Sequence, residues 1–302
     1  MAERHSSSFG KILVTGATGN VGGVLIPILT NLGADVRALT RDESKAQGLK
    51  DAGVEVVVGD LEKPETLDAA FRGVDKVFLT TATNPNQVIQ TKNGIEAAKR
   101  TGSPFIVRLS AGALKEETPG ALPPISGQHA ETDPMLRASG LPYNIIRAHF
   151  FMQNIMMAAQ TVASEGVVYM AFKDGKVGMI DVRDVADVAV KVLTEDGHEG
   201  KTYTLTGPAS ISFGDVAAAL SKALGKQVNY VDVPLEAAHE AMMGMGEWIA
   251  DAFGKYFEVF SEGYGDFTTP DVENVTGHPA RSYETFARDF AQVFGGGASQ
   301  TA

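Results

Sequence analysis

The chain has 302 residues and no cysteine. Disulfides, thiolate metal sites and cysteine nucleophiles are therefore excluded, and the absence fits a cytoplasmic protein. No apolar run reaches the roughly 18 residues of a membrane span, so no transmembrane helix is expected. The segment 1–8 lacks the apolar stretch of a signal peptide and reads as a loose tail, as does 295–302. Positive charge is in the minority: 26 Lys and Arg face 37 Asp and Glu, a formal net charge of -11. A surface of that sign repels nucleic acid phosphate and anionic membranes, and leaves room only for a local basic pocket. The six His residues are scattered, without zincin or EF-hand spacing, so no metal is expected. Neither a Gly-Lys-Ser/Thr phosphate loop ending nor a Gly-x-Ser-x-Gly nucleophile elbow occurs.

What is present begins with Ile12-Leu13-Val14-Thr15-Gly16-Ala17-Thr18-Gly19-Asn20-Val21-Gly22-Gly23. A buried strand runs into three glycines at three-residue spacing, and an apolar helical pattern starts at once. Gly16 allows the tight turn, Gly19 lets backbone approach a pyrophosphate, and Gly22 lets helix pack on strand. With Thr18, Asn20 and Val21 they form a cradle whose free N–H groups and partial positive charge suit an anion. Val21, Leu25, Ile28, Leu29 and Leu32 share one helical face, and Gly33 ends it. Pro27 is the irregularity within it.

Strand patterns follow at Asp35 to Thr40, Val54 to Val58, Lys76 to Thr80, Phe105 to Leu109, Tyr143 to Arg147 and Thr202 to Thr206. Helical patterns separate them at Glu65 to Phe71, Val88 to Arg100 and Glu131 to Ala138. This alternation predicts an α/β fold: a Rossmann-type, doubly wound parallel sheet, with ligands at the C-terminal ends of its strands. Later come an amphipathic helix over Ile211 to Leu224, a short strand at Gln227 to Val233, and Met- and aromatic-rich helices to Phe294. The expected domains are a dinucleotide-binding domain at 1–150, with 181–207 returning to it. A small, discontinuous substrate domain follows at 151–180 and 208–297. No internal repeat or long linker is seen.

The second strand ends about twenty residues past the glycine turn, where an adenosine ribose belongs. An acidic residue there favours NAD. Here Thr40 and Arg41 stand instead, and a guanidinium fork matches a 2′-phosphate, so NADP(H) is expected over NAD(H). The bland alternative is a solvated arginine. Arg37 is expected on a sheet face, and Lys45 could assist from the next turn. At the third strand end, Asp60 either accepts from the adenine amino group or caps its own turn, and Leu61 packs on the ring. Thr80, Thr81 and Ala82 leave room for ribose and nicotinamide.

With these segments, the chain resembles the NmrA-like family of atypical short-chain dehydrogenases/reductases. The likeness continues in Ala138-Ser139-Gly140-Leu141-Pro142-Tyr143, in Phe150-Phe151-Met152-Gln153-Asn154, in Asp181-Val182-Arg183-Asp184 and in Tyr203-Thr204-Leu205-Thr206-Gly207-Pro208. It implies a Rossmann domain, NADP(H), and a small C-terminal domain that closes over substrate. Members include quinone, dye, aryl ether and isoflavone reductases, and redox-sensing regulators.

Ordinary members of the superfamily carry Tyr-x-x-x-Lys, and this chain does not. Counting back from Leu141, the lysine position falls on His129 and the tyrosine position on Ile125. His129 either donates a proton or contacts ribose. Ser110, at the level of the superfamily's serine, either polarises a substrate oxygen or bonds cofactor. Phe150 and Phe151 are candidates to wall the nicotinamide and Asn154 to orient substrate; for Phe151 and Met152 ordinary packing is favoured. Tyr169, Met170 and Phe172, with Met242, Met243, Met245 and Trp248, form either a soft pocket or plain core.

Hydride transfer needs position above all. Without the tyrosine, the sequence favours an easily reduced, delocalised small molecule. The expected protein is an NADPH-dependent reductase of a conjugated, aromatic or quinone-like substrate. Two rivals are an NADP-sensing regulator without turnover, and a lyase or isomerase that uses bound cofactor transiently. A homodimer is left open.

Overall fold

β-branched runs and amphipathic stretches alternate along the chain, and the computed structural model turns them into layers. It describes residues 9–112, 114, 115, 120 and 122–295, and excludes the Lys45 side chain. The two tails read as loose lie outside these residues, Gly295 apart. Among the described residues nine strands form: β1 Lys11–Val14, β2 Asp35–Thr40, β3 Glu55–Val58, β4 Lys76–Leu79, β5 Phe105–Ala111, β6 Tyr143–Ala148, β7 Val167–Met170, β8 Thr202–Leu205 and β9 Asn229–Asp232. Seven of them make one sheet in the order β3-β2-β1-β4-β5-β6-β8, and β7 pairs with β9 alone.

The sheet is parallel at β2–β3, β1–β2, β1–β4 and β4–β5. Its far side keeps the same sense: Ile106 N–H bonds Pro142 O, and Ile145 N–H bonds Lys201 O. The order places the expected doubly wound α/β sheet on the page. The chain leaves β1 toward β2 and β3, then returns to β4 on the other side, so the switch point lies between β1 and β4. Thr15 stitches that point. Its hydroxyl donates to Thr80 O at 2.7 Å and accepts from Thr80 N–H at 2.8 Å.

Two compact units divide the chain. The first runs to Ala111 and includes Gln128–Arg147 and Val185–Tyr203. Its sheet core is mostly aliphatic, built on Leu13, Leu39, Leu79, Ile106, Leu136 and Ile145 with Phe71. The second comprises Gly112–Gly127, Ala148–Asp184 and the chain from Thr204 onward. Its core is aromatic, with Phe150, Phe172, Phe213, Phe257, Phe260 and Phe286.

Local reading and structure part in a few places. The first helix, Asn20–Asn31, buries Ile26 instead of Leu32, which is 51% exposed. The helix stops at Asn31, so Leu32 has already left the buried face; Ala34 N–H bonds back to Leu29 O. The helix expected from Glu131 starts at Pro124 and ends at Arg137. β7 and the helix Val182–Thr194 have no counterpart in the sequence reading. The later helix is as expected, Phe213–Leu224, with Ser212 and Asp215 forming a capping box. Among the described residues no helix is long and apolar enough to cross a membrane.

Candidate active site

The glycine turn leaves β1 at Gly16, whose φ of 59° suits a residue without Cβ. A Cβ at Gly22 would meet Gly16 O at 2.4 Å, so any larger residue would push the helix off the turn. Gly19 is the N-cap, has no side-chain cap bond, and no acidic residue follows in the first turn. Thr18 and Asn20 are exposed beside it, whereas the Val21 side chain is in the core, leaving its backbone N–H to the turn. Free donors, an aligned helix dipole and close backbone approach fit a pyrophosphate. The residues present thus fit a dinucleotide.

At the end of β2, Thr40 Oγ1 is bonded within its own turn, to Asp42 O at 3.0 Å. Arg41 is exposed, and its guanidinium has no partner among the described residues. Asp42 caps the next turn through Ser44 N–H at 2.9 Å. Arg37 lies on the sheet face, as expected: it donates to Ala70 O and Arg72 O, both at 2.8 Å, and pairs with Glu55 at 2.9 Å.

After β3, Asp60 accepts from Glu62 N–H at 3.0 Å, so one carboxylate oxygen caps its own turn. Leu61 belongs to the sheet core. Thr80, Thr81 and Ala82 leave β4 half-buried to exposed. The segment behind them is pinned by carboxamides. Gln90 Oε1 accepts from Ala82 N–H at 3.0 Å, and Gln128 Nε2 donates to Asn84 O and Pro85 O, both at 3.1 Å.

The structure brings Ser110 and His129 into one polar cluster of the first unit, through residues the sequence reading missed. Arg108 and Ser110 alternate on β5 and face Asp133 on the helix Pro124–Arg137. Ser110 donates to Asp133 Oδ1 at 2.8 Å, and Arg108 pairs with the same oxygen. Arg147 on β6 donates to Asp133 Oδ2 at 2.9 Å. Arg108 also donates to Thr132 Oγ1 at 2.5 Å and reaches His129 Nδ1 at 3.1 Å. Gln87, at the start of the helix Gln87–Thr101, faces both ring nitrogens of His129.

One carboxylate thus serves two guanidiniums. Burial brings the Arg108 pKa down to about 10, against the raising effect of Asp133. Desolvation, then the charges of Arg108 and Arg147, hold His129 well below its ordinary value, so it is neutral near pH 7. A signal for Arg108 was in the sequence: a charge inside the apolar run Phe105-Ile106-Val107-Arg108-Leu109 demands a partner. Asp133, on a polar helix face, gave none.

Phe150, Phe151, Asn154 and Tyr169 lie in the second unit. Phe150 packs edge-on against Phe172, Phe253, Tyr256 and Phe260. Phe151 bridges to Ile180, and Asn154 N–H bonds Phe151 O at 3.1 Å. Tyr169 is exposed and donates to Glu165 at 2.9 Å. The Met-rich set divides: Met170, Phe172 and Met242 are core, whereas Met243 and Met245 are exposed. No group of three His, Cys, Asp or Glu residues suited to a metal occurs among the described residues.

A parallel sheet of this order, with an uncapped glycine-rich helix start at its switch point, defines a dinucleotide-binding Rossmann-type protein. The chain belongs to the NmrA-like family, whose model matches residues 8–287. It is 40% identical over 287 residues to the NAD(P)H azoreductase of Xenophilus azovorans, covering 94% of this chain and 99% of that protein. It is 31% identical over 288 residues to quinone oxidoreductase 2 of Escherichia coli, covering 94% of this chain and 98% of that one. The triphenylmethane reductase of Citrobacter sp., solved in complex with NADP(H), matches with a TM-score of 0.82 at 29% identity, over 93% of this chain and 99% of that one.

Proposed function

We propose that this oxidoreductase moves a hydride from NADPH to a flat, conjugated small molecule such as a quinone or an azo or triarylmethane dye. The observation that carries the reading is the uncapped helix start beside Gly16 and Gly22 at the sheet's switch point. Gly16, Thr18, Gly19, Asn20, Val21 and Gly22 hold the pyrophosphate. Arg41, free of other partners among the described residues, takes the 2′-phosphate, and Thr40 shapes the turn that presents it. Asp60 and Leu61 border the adenine, and Thr80, Thr81 and Ala82 the nicotinamide ribose. NADPH, when bound, supplies the hydride.

The cluster behind the sheet's C-terminal edge supports a substrate that needs little acid help. Ser110 directs its proton to Asp133, and His129 is not an imidazolium. A quinone or extended dye accepts hydride and collects its proton from water, whereas an isolated ketone needs a positioned acid. We assign substrate recognition to the second unit, with Phe151, Asn154 and Tyr169 as its candidates, and place the work in the cytoplasm.

The test is to mix the protein with NADPH and a panel of quinones, azo dyes, enones and simple ketones, and follow the reduced-nicotinamide absorbance. Oxidation with the conjugated acceptors and none with ketones supports the reading. Tight NADPH binding without oxidation across the panel supports a sensor instead. Arg41→Ala is expected to weaken NADPH binding by about 10- to 100-fold while changing NADH little. Equal losses for both would remove the 2′-phosphate assignment.

A further inference from the structure

The imidazole of His129 has a side chain opposite each nitrogen. Arg108 Nη2 is 3.1 Å from Nδ1. A guanidinium only donates, so Nδ1 accepts and carries no proton. In the neutral ring the proton is then on Nε2. The group facing Nε2, at 3.0 Å, is one end of the Gln87 carboxamide, which also lies 3.1 Å from Nδ1. The Gln87 side chain is buried, and its oxygen has no partner among the described residues. An NH2 group aimed at Nε2–H would set donor against donor, and the single lone pair of Nδ1 is already engaged by Arg108. The nitrogen and oxygen of a carboxamide are told apart only by their hydrogen bonds. A half-turn of the amide puts the orphaned oxygen opposite Nε2–H and gives the imidazole one donor and one acceptor bond.

We propose that Arg108 and Gln87 lock His129 as the neutral Nε2–H tautomer, and that His129 is a positioning residue and not the proton donor of the reduction. The proposal rests on the reductase reading for what is being positioned. The charges around the ring are Arg108 on β5, Arg147 on β6 and Asp133 on its own helix, and Asp133 is shared by both guanidiniums. Protonating His129 would add a third cation to one carboxylate. The neutral ring instead ties the helix Gln87–Thr101 to β5. One residue earlier, Gln128 holds the carbonyls of Asn84 and Pro85. Together they fix the segment that follows Thr80, Thr81 and Ala82, where the nicotinamide end is expected.

The test is ring-nitrogen NMR on the full, 15N-labelled chain, with the His129 signals assigned by their loss in His129→Gln. The expected result is a protonated Nε2, a bare Nδ1 and no titration between about pH 5.5 and 8.5. An Nδ1–H ring, or a midpoint inside that window, overturns the proposal. In Gln87→Glu a carboxylate faces Nε2–H, and the titration is expected to move up into the window. A Gln87→Glu ring that stays bare at Nδ1 and untitrated overturns the contact. If that variant does not fold, the wild-type spectrum still decides. With an accepted dye, His129→Gln is expected to raise KM for NADPH more than it lowers kcat. A fall in kcat of about 100-fold or more, with loss of a pH limb near 6 to 7, marks a general acid and overturns the proposal. The spectrum needs neither NADPH nor substrate, so failure of the reductase reading and failure of the tautomer are separate outcomes.

Discussion

His129 in the first unit and His149 in the second are both kept neutral by their surroundings, and the two are held in different ways. In the second unit His149 accepts from Phe150 N–H at 2.7 Å and faces Gly265 O at 3.1 Å, both backbone groups. The Phe260 and Phe267 rings lie 6.0 Å and 4.8 Å away, and burial brings its pKa down to about 3. In the first unit, among the described residues, the His129 ring nitrogens meet side chains alone, those of Arg108 and Gln87. Backbone partners are indifferent to substitution, and an aromatic nest has no other use for a polar ring. Side-chain partners can be altered one at a time, and they lead on to Asp133, Ser110 and Arg147. The comparison separates a ring fixed by backbone from one embedded in a network of charged and polar side chains.

The largest expected effect strikes the first unit alone. Asp133→Asn leaves two guanidiniums without their carboxylate, Arg108 fully buried, and is expected to lower stability by about 3–5 kcal/mol in chemical denaturation. A loss under about 1 kcal/mol would show that the cluster is not an ionic keystone. Next is Gly22→Val, whose side chain meets Gly16 O. NADPH affinity by calorimetry is expected to fall at least about 100-fold, roughly 2.7 kcal/mol.

The acid limb of stability sharpens the contrast. The His149 pKa is lowered in the fold from 6.5 to about 3, so the unfolded chain takes the proton first. Its contribution is complete above about pH 6.5 and is lost as pH falls toward 3. The slope from this one site is about 1.4 kcal/mol per pH unit. His149→Gln is expected to remove one proton's worth of that slope and leave NADPH affinity unchanged. The smallest effect is Phe172→Leu in the aromatic core, about 1–2 kcal/mol of stability with cofactor binding intact. If NADPH affinity followed that loss, the aromatic core would govern cofactor binding as well as stability.

Much of this was legible in the chain. The glycine turn, the strand end at Arg41 and the alternation of strands and helices are local features, with spacing and turn chemistry that need no tertiary partner. What escaped is tertiary. At Val167 to Met170 the reading weighed Tyr169 and Met170 as pocket or core and passed over the strand, which pairs with β9 alone. The helix from Pro124 carries Gly127 in its first turn, a poor helix former, and Ser126 beside it is held by Tyr256 at 2.7 Å. Asp133 resembles any solvated helix carboxylate until Arg108 and Arg147 converge on it. Ser110 and His129 were picked out by position, and the bonds that join them through Asp133 and Arg108 could not be.

The chain changes compact unit at five places, between residues 111 and 112, 127 and 128, 147 and 148, 184 and 185, and 203 and 204. During synthesis, then, the first unit needs the chain as far as Tyr203, and two segments of the second have already emerged by that point. β6 has no outer neighbour until β8 emerges at Thr202, and until then its edge is an open template for stray pairing. A nascent fragment stalled before that point is the form most prone to aggregate, and no single cut can free one half as an autonomous piece. The ribosome must deliver the chain as far as Leu205 before the seven-stranded sheet can close.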